Sequence, residues 1–212
     1  MQLPEVVVGV LLAGGKSSRM GGGDKCLLPL AGRPILAHII ARLRPQVSDL
    51  IINANGDLTR FSAFGLPMIP DRVGDHAGPL AGVHAGIEWA TANRPEGRFV
   101  ITAATDTPFF PADLIARFRE AFLGTEPRLI VARSEGGVHP VFGLWPVSLV
   151  PELEDSLGRG MRKVSDWVRE HGAEEVEFPA AQVGGCKIDP FFNINRPDNL
   201  AEAETLLQKV VS

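Results

Sequence analysis

VVVGVLLAGGKSSRMGGGDKCLLPLAGRPIL, residues Val6 to Leu36, decides the fold. Val6 to Leu12 is apolar apart from Gly9, the pattern of a strand buried on both faces of a parallel sheet. It runs into Gly14-Gly15 and a polar loop that carries Lys16, Arg19 and Lys25 around Gly21, Gly22 and Gly23. Glycine lets backbone N–H groups turn inward onto an anion, and the cations neutralise it. A loop of this build at the carboxyl end of a strand is where open α/β sheets bind phosphate groups.

Two familiar phosphate loops are excluded by register. Gly15-Lys16-Ser17 matches the end of a Walker A loop, but the position that requires the first glycine is Val10. Gly21 and Gly23 would need a third glycine at Cys26 to complete a dinucleotide fingerprint. What remains is L-A-G-G-x-S-x-R-M-G-x-x-x-K, Leu12 to Lys25. This string resembles the signature loop of nucleotidyltransferases of the glycosyltransferase-A-like type. With Asp24 before Lys25 it most resembles the molybdenum cofactor guanylyltransferase family.

Outward from the loop, the pattern alternates. Pro34 suits the first turn of a helix that continues through Leu43 at helical spacing. Leu50-Ile51-Ile52 predicts a short buried strand ending at Asn53, and Thr59 to Phe64 a brief helix. Pro67 to Asp71 predicts another strand edge, and Gly78-Pro79 opens a helix to about Ala92. Phe99-Val100-Ile101 predicts a central strand ending at Thr105-Asp106, followed by an amphipathic helix from Asp113 to Phe122. Strands alternating with helices predict a three-layer α/β/α domain around a mostly parallel, Rossmann-like mixed sheet. Arg128 to Ala132 and Val141 to Trp145 flank the turn-rich Ser134-Glu135-Gly136-Gly137 and predict a hairpin-like pair. Helices near 147–157 and 163–171, a strand at Val176 to Phe178 and a helix from Pro197 to Leu207 complete the reading. No domain boundary is visible: residues 1–212 read as one nucleotidyltransferase domain, with a nucleotide-binding half over about 6–125 and a cofactor-binding half over about 126–212.

The chain has 212 residues, 45% of them hydrophobic, enough to bury a core without disulfide or metal staples. A net charge of −4 argues against non-specific nucleic-acid binding. Cys26 and Cys186 have no metal-site spacing, which favours a reducing cytoplasm. No segment approaches the roughly 20 apolar residues of a membrane span, and the first residues lack the basic flank of a signal peptide.

Several residues fall where chemistry is expected. Leu12, Ala13, Gly14 and Gly15 offer a backbone cradle, with Arg19 and Lys25 as cations; the alternative for the glycines is a plain solvated loop. Asp106 follows a central strand, where a carboxylate can hold Mg²⁺, which prefers oxygen ligands. By itself an Asp before Thr-Pro also reads as a turn or helix cap. Asn53 and Asp71 end successive strands and likewise read either as site residues or as turn residues. In Phe192-Asn193-Ile194-Asn195 two amides project to one side of an extended chain and could meet a polar heterocycle; helix capping is the other reading of Asn195. Arg159, Arg162 and Lys163 form a basic cluster that fits a phosphate or simply faces solvent. His139 lies beside Pro140 in the second half, while His38 and His84 sit within helical spacing as packing residues.

The resemblance orders these candidates. It implies a Mg²⁺-dependent transfer of GMP from GTP to the terminal phosphate of molybdenum-loaded molybdopterin, giving a dinucleotide cofactor and pyrophosphate. It implies that Leu12 to Gly15, Lys25, Asn53, Asp71 and Asp106 bind the nucleotide, that Arg19, Lys25 and Asp106 are catalytic, and that Asp106 holds the metal. It implies Arg159, Arg162, Asn193 and Asn195 for molybdopterin, and transient contact with molybdopterin-supplying proteins and apo-molybdoenzymes. Thr105 stands where the family often has cysteine, and Arg196 where it usually has threonine. A general base is not required, because a phosphate monoester is already largely ionised near neutral pH. Rival readings are a molybdopterin cytidylyltransferase, a sugar- or polyol-phosphate nucleotidyltransferase, and a non-catalytic nucleotide or cofactor carrier. A carrier would be expected to lack Lys25 or Asp106, and both are present.

Overall fold

The computed structural model describes residues 6–14, 24–72, 78–122 and 128–211. In chain order the elements are β1 (Val7–Leu12), β2 (Pro29–Leu30), β3 (Arg33–Pro34), α1 (Ile35–Leu43), β4 (Asp49–Asn53), β5 (Met68–Ile69), α2 (Pro79–Asn93), β6 (Phe99–Ala104), α3 (Leu114–Ala121), β7 (Ile130–Ser134), β8 (Gly137–Pro146), α4 (Val150–Gly158), α5 (Val164–His171), β9 (Glu174–Glu177), β10 (Ala181–Val183), β11 (Cys186–Ile188) and α6 (Pro197–Val211). Short 3₁₀ turns lie between them, including Lys25–Leu27 and Leu58–Phe64.

One seven-stranded sheet runs through both halves in the order β5-β4-β1-β6-β8-β7-β9. Pairing is parallel from β5 to β6. Only β8 runs against the rest, antiparallel to both β6 and β7, while β9 is again parallel to β7. The mostly parallel mixed sheet is therefore as expected.

Alternation along β1 separates the two faces. Val7 and Leu11 belong to a core that also contains Ile35, Ile39 and Leu114, beneath α1 and α3. Val8 and Val10 point the other way, into a core with Val83, Leu153 and Trp167 beneath α2, α4 and α5. Each fully buried side chain of this size contributes roughly 1.5–3 kcal/mol by leaving water. Helix α1 links β1 to β4 across one face, and α2 returns from β5 to β6 across the other. The strand order thus reverses between β1 and β6, and the crevice at their carboxyl ends is the place such sheets reserve for ligands.

Glycine lets α2 lie close to β1. A Cβ on Gly86 would sit 2.6 Å from Val10 Cγ2, and one on Gly82 would lie 2.8 Å from Leu12 Cδ2 while colliding with Asn53 Oδ1. These two residues are one helical turn apart, so they share a face. Gly78, with φ of +77°, starts the helix against the carbonyl of Arg162.

Three details depart from the sequence reading. Pro34 is extended (ψ 142°) and pairs with Pro29, so the helix starts at Ile35. The hairpin pair extends to ten residues in β8, tied to β6 by Thr102, whose hydroxyl donates to the Val141 carbonyl at 2.6 Å and accepts from Trp145 Nε1 at 3.0 Å. The small hairpin β10–β11 was not foreseen, because its strands are only three residues each.

Candidate active site

At the carboxyl ends of β1, β4 and β6 lies a cavity of about 310 Å³. Its floor is Leu12, Ala13 and Gly14, and its walls include Lys25, Asn53, Asp71, Asp106 and Asn193. The Ala13 amide donates to the Asn53 carbonyl at 2.8 Å, which continues the β1–β4 ladder into the site. Gly15 and Arg19 lie outside the described residues.

One wall is built around Asp71. Asn53, only 2% exposed, donates from Nδ2 to Asp71 Oδ1 at 2.9 Å. Asn55 Nδ2 donates to Asp71 Oδ2 at 2.7 Å, and Asn55 Oδ1 accepts from the Asp71 amide at 2.9 Å. Each carboxylate oxygen keeps acceptor capacity after these bonds, so the group is aimed at the cavity yet still able to accept from a base or a sugar hydroxyl. Asn55 is a residue to which the sequence reading gave no role. Its signal was present, as the second amide of Asn53-Ala54-Asn55 at strand spacing.

The opposite wall joins distant segments. Lys25 Nζ donates to Asp106 Oδ2 at 2.6 Å and to Asn195 Oδ1 at 2.8 Å. The Ile194 amide donates to the Asp106 carbonyl at 2.8 Å, which pins the Asn193–Asn195 segment to the end of β6. Ile194 is fully buried, while Asn193 lines the cavity and Asn195 reaches Lys25, so alternation holds. Capping falls instead to Asn199, whose Oδ1 accepts from the amides of Asn195 and Arg196 at 3.3 and 3.1 Å.

Cys26 lines the same cavity, but burial, followed by the nearby charge of Asp24, pushes its thiol up to about 12. A thiol that stays protonated is a poor nucleophile, so covalent catalysis through it is disfavoured. Asp24 itself is ion-paired with Arg60.

A second network lies behind the Asn193–Asn195 segment. Asp189 Oδ2 accepts from Ser134 Oγ at 2.7 Å and from the Gly136 amide at 3.1 Å, and Asp189 Oδ1 accepts from the Phe191 amide at 2.7 Å. Because the single Ser134 hydrogen is given to Asp189, His139 Nε2 donates to Ser134 Oγ at 2.7 Å. The His139 ring stacks on Phe191 with 4.4 Å between centroids. Burial holds its pKa below the usual value, against the smaller opposite pull of Asp189. The network ties the β7–β8 turn to the chain that carries Asn193 and Asn195, across a separation no local motif reveals.

Arg159 and Arg162 are not brought to the cavity wall. Arg159 donates to Ser156 Oγ at 3.3 Å and Glu170 Oε1 at 3.2 Å, and Arg162 Nη1 donates to the carbonyls of Leu157 and Met161, each at 2.9 Å. His38 Nε2 donates to the Leu30 carbonyl at 2.8 Å, and His84 lies between Glu88 and Glu154 at 3.4 Å from each, joining α2 to α4. Among the described residues, no helix is long and apolar enough to cross a membrane.

The donor set at Asp106 fits a hard divalent ion. Its carboxylate is only 21% exposed, it stands at a strand end beside the phosphate-type loop, and Oδ2 already carries a cation, the Lys25 ammonium. Oxygen ligands of this kind suit Mg²⁺.

Comparison with known proteins agrees with this architecture. The family described as the MobA-like NTP transferase domain matches residues 9–176. A molybdenum cofactor guanylyltransferase from Mesorhizobium japonicum is 49% identical over 207 residues, covering 97% of this chain and 98% of its own length. Another from Bradyrhizobium sp. is 46% identical over 201 residues, covering 94% and 92%. The crystal structure of molybdopterin-guanine dinucleotide biosynthesis protein A from Archaeoglobus fulgidus superposes with a TM-score of 0.70 over 95% of this chain and 99% of its own, at 21% identity. With the sheet order, the switch-point cavity and near full-length similarity in agreement, this chain belongs to the MobA-like NTP transferase family.

Proposed function

We propose that the protein transfers GMP from Mg-GTP to the terminal phosphate of molybdenum-loaded molybdopterin, forming the guanine dinucleotide cofactor and releasing pyrophosphate. The observation that carries this reading is that one cavity gathers Asp71 and Asp106 from the nucleotide half and Asn193 from the acceptor half. Near full-length similarity to molybdenum cofactor guanylyltransferases supports the choice of base and acceptor.

In this reading an acceptor phosphate oxygen attacks the α-phosphorus in line, a new P–O bond forms, and the bond to the β-phosphate breaks. The protein positions the two partners and neutralises the developing charge. The Ala13 and Gly14 backbone, with Gly15, supports the triphosphate, and Lys25 and Arg19 neutralise it as point charge and fork. Asn53 and Asn55 hold Asp71 toward the nucleoside. Asp106 would hold Mg²⁺, which supplies Lewis-acid stabilisation of phosphate charge when bound. Asn193 and Asn195 receive the pterin. Arg159 and Arg162 would serve molybdopterin only by exchanging their present local partners for its phosphate. The same reading includes transient contacts with proteins that supply molybdopterin and accept the product, and a cytoplasmic setting consistent with the free thiols of Cys26 and Cys186.

The test is pyrophosphate release from each of the four nucleoside triphosphates, with Mg²⁺ and molybdenum-loaded molybdopterin. Release with GTP alone, abolished in Asp106→Ala, is expected. Release with CTP instead would overturn the choice of base, and tight GTP binding without release would favour a carrier.

A further inference from the structure

Lys25 sits between two residues from opposite halves of the chain. Its ammonium is 2.6 Å from Asp106 Oδ2 and 2.8 Å from Asn195 Oδ1, and Lys25 and Asp106 are only 17% and 21% exposed. The contacts cross 81 and 170 residues of sequence, so they join the first loop, the end of β6 and the segment before α6. A magnesium-type ion would bind a carboxylate oxygen at about 2.0–2.1 Å. An ion on Asp106 Oδ2 would lie beside the ammonium held by that same oxygen, and two cations so close repel each other strongly in a partly desolvated site. The oxygen therefore serves one cation at a time at full strength. Asn195 is held by the same ammonium through one lone pair of its carboxamide oxygen.

We propose that Lys25 is a cation latch over the cleft: clamped between Asp106 and Asn195 it occupies the metal-binding oxygen and the acceptor-side amide together, and triphosphate oxygens draw it off both. This rests on the reading of Asp106 as the metal-binding carboxylate. The exchange is electrostatic and makes no covalent bond: the ammonium trades a carboxylate and an amide oxygen for phosphate oxygens. The divalent ion then enters with the nucleotide rather than ahead of it. Release of Lys25 also frees the engaged lone pair of the Asn195 carboxamide for the acceptor, which favours nucleotide first and pterin phosphate second. A bare ion without phosphates must compete with Lys25 and binds weakly.

The experiment is titration of the full-length protein with Mn²⁺ alone, without nucleotide, following the free-ion signal by electron paramagnetic resonance. Lys25→Met is expected to tighten Mn²⁺ binding by roughly tenfold, equivalent to about 1.4 kcal/mol. Lys25→Gln serves the same comparison should the first variant not fold by circular dichroism. The tightening is expected to vanish in Lys25→Met/Asp106→Asn. Unchanged Mn²⁺ affinity in a folded Lys25 variant overturns the latch, and so does a tightening that survives loss of Asp106. A separate titration of wild type and Asp106→Asn in the presence of GTP tests the metal-ligand reading itself. If Asp106→Asn weakens Mn²⁺ there while the Lys25 variants bind no tighter, the latch alone is lost.

Discussion

Replacing Gly82 by alanine sets two physical effects against each other. Helix propensity alone favours the change by about 1 kcal/mol, because Gly82 lies inside α2. Packing opposes it. The new methyl would fall 2.8 Å from Leu12 Cδ2 and would overlap Asn53 Oδ1, a side chain that is 2% exposed and cannot retreat into solvent. Overpacking of this kind costs roughly 1–3 kcal/mol. If Asn53 turns away, its hydrogen bond to the Asp71 carboxylate is lost as well, at about 1.5–3 kcal/mol for a charged acceptor. With Asn53 displaced, the expected net is a loss of about 1.5–5 kcal/mol after the helix gain, or a fall in Tm of about 3–20 °C for a chain of this size. Gly158→Ala is the internal comparison, since nothing lies within 4 Å of its added Cβ and it ends α4. It should be neutral or slightly stabilising. Urea unfolding of both variants, with GTP affinity by calorimetry, separates the two effects. If Gly82→Ala were stabilised as much as Gly158→Ala and bound GTP unchanged, the claim that α2 rests directly on the Asn53 amide would be wrong.

Asn55→Ala removes one donor and one acceptor from Asp71 and should weaken GTP binding by roughly tenfold while leaving the fold intact; an unchanged dissociation constant in calorimetry would refute its positioning role. His139 has its pKa lowered in the folded protein, so the unfolded chain takes up a proton first as pH falls. Its contribution is therefore fully present above about pH 6.5 and is lost as pH falls below that value; His139→Gln should flatten the Tm profile between about pH 7 and 5, and an unaltered slope would count against the assignment. Cys26 is buried with its thiol pushed up to about 12, whereas Cys186 is partly exposed, so iodoacetamide on the native protein should label Cys186 and spare Cys26 by mass spectrometry. Comparable labelling of both would contradict the buried placement.

Local pattern determined a good deal. The apolar run into Gly14-Gly15 marked the first strand and its phosphate-type loop, because a strand buried on two faces has no polar positions to hide. The alternation of strand and helix marked the layers. Asn53, Asp71 and Asp106 were legible as strand-end residues, since a parallel sheet delivers every carboxyl end to one edge. Tertiary structure decided what those residues do to one another. That Lys25 reaches both Asp106 and Asn195, that Asn55 orients Asp71, and that Asp189 links Ser134 to the Asn193 segment all depend on strand order and side-chain reach over many residues. Composition gave no sign that Arg159 and Arg162 would be taken up by neighbours. In the sequence Gly78-Pro79 marks only where α2 opens; the packing of the helix on β1 shows that Gly82 is required by the volume of the Asn53 amide. Periodicity records which face a residue occupies, whereas contacts between faces depend on the distances that the folded backbone imposes.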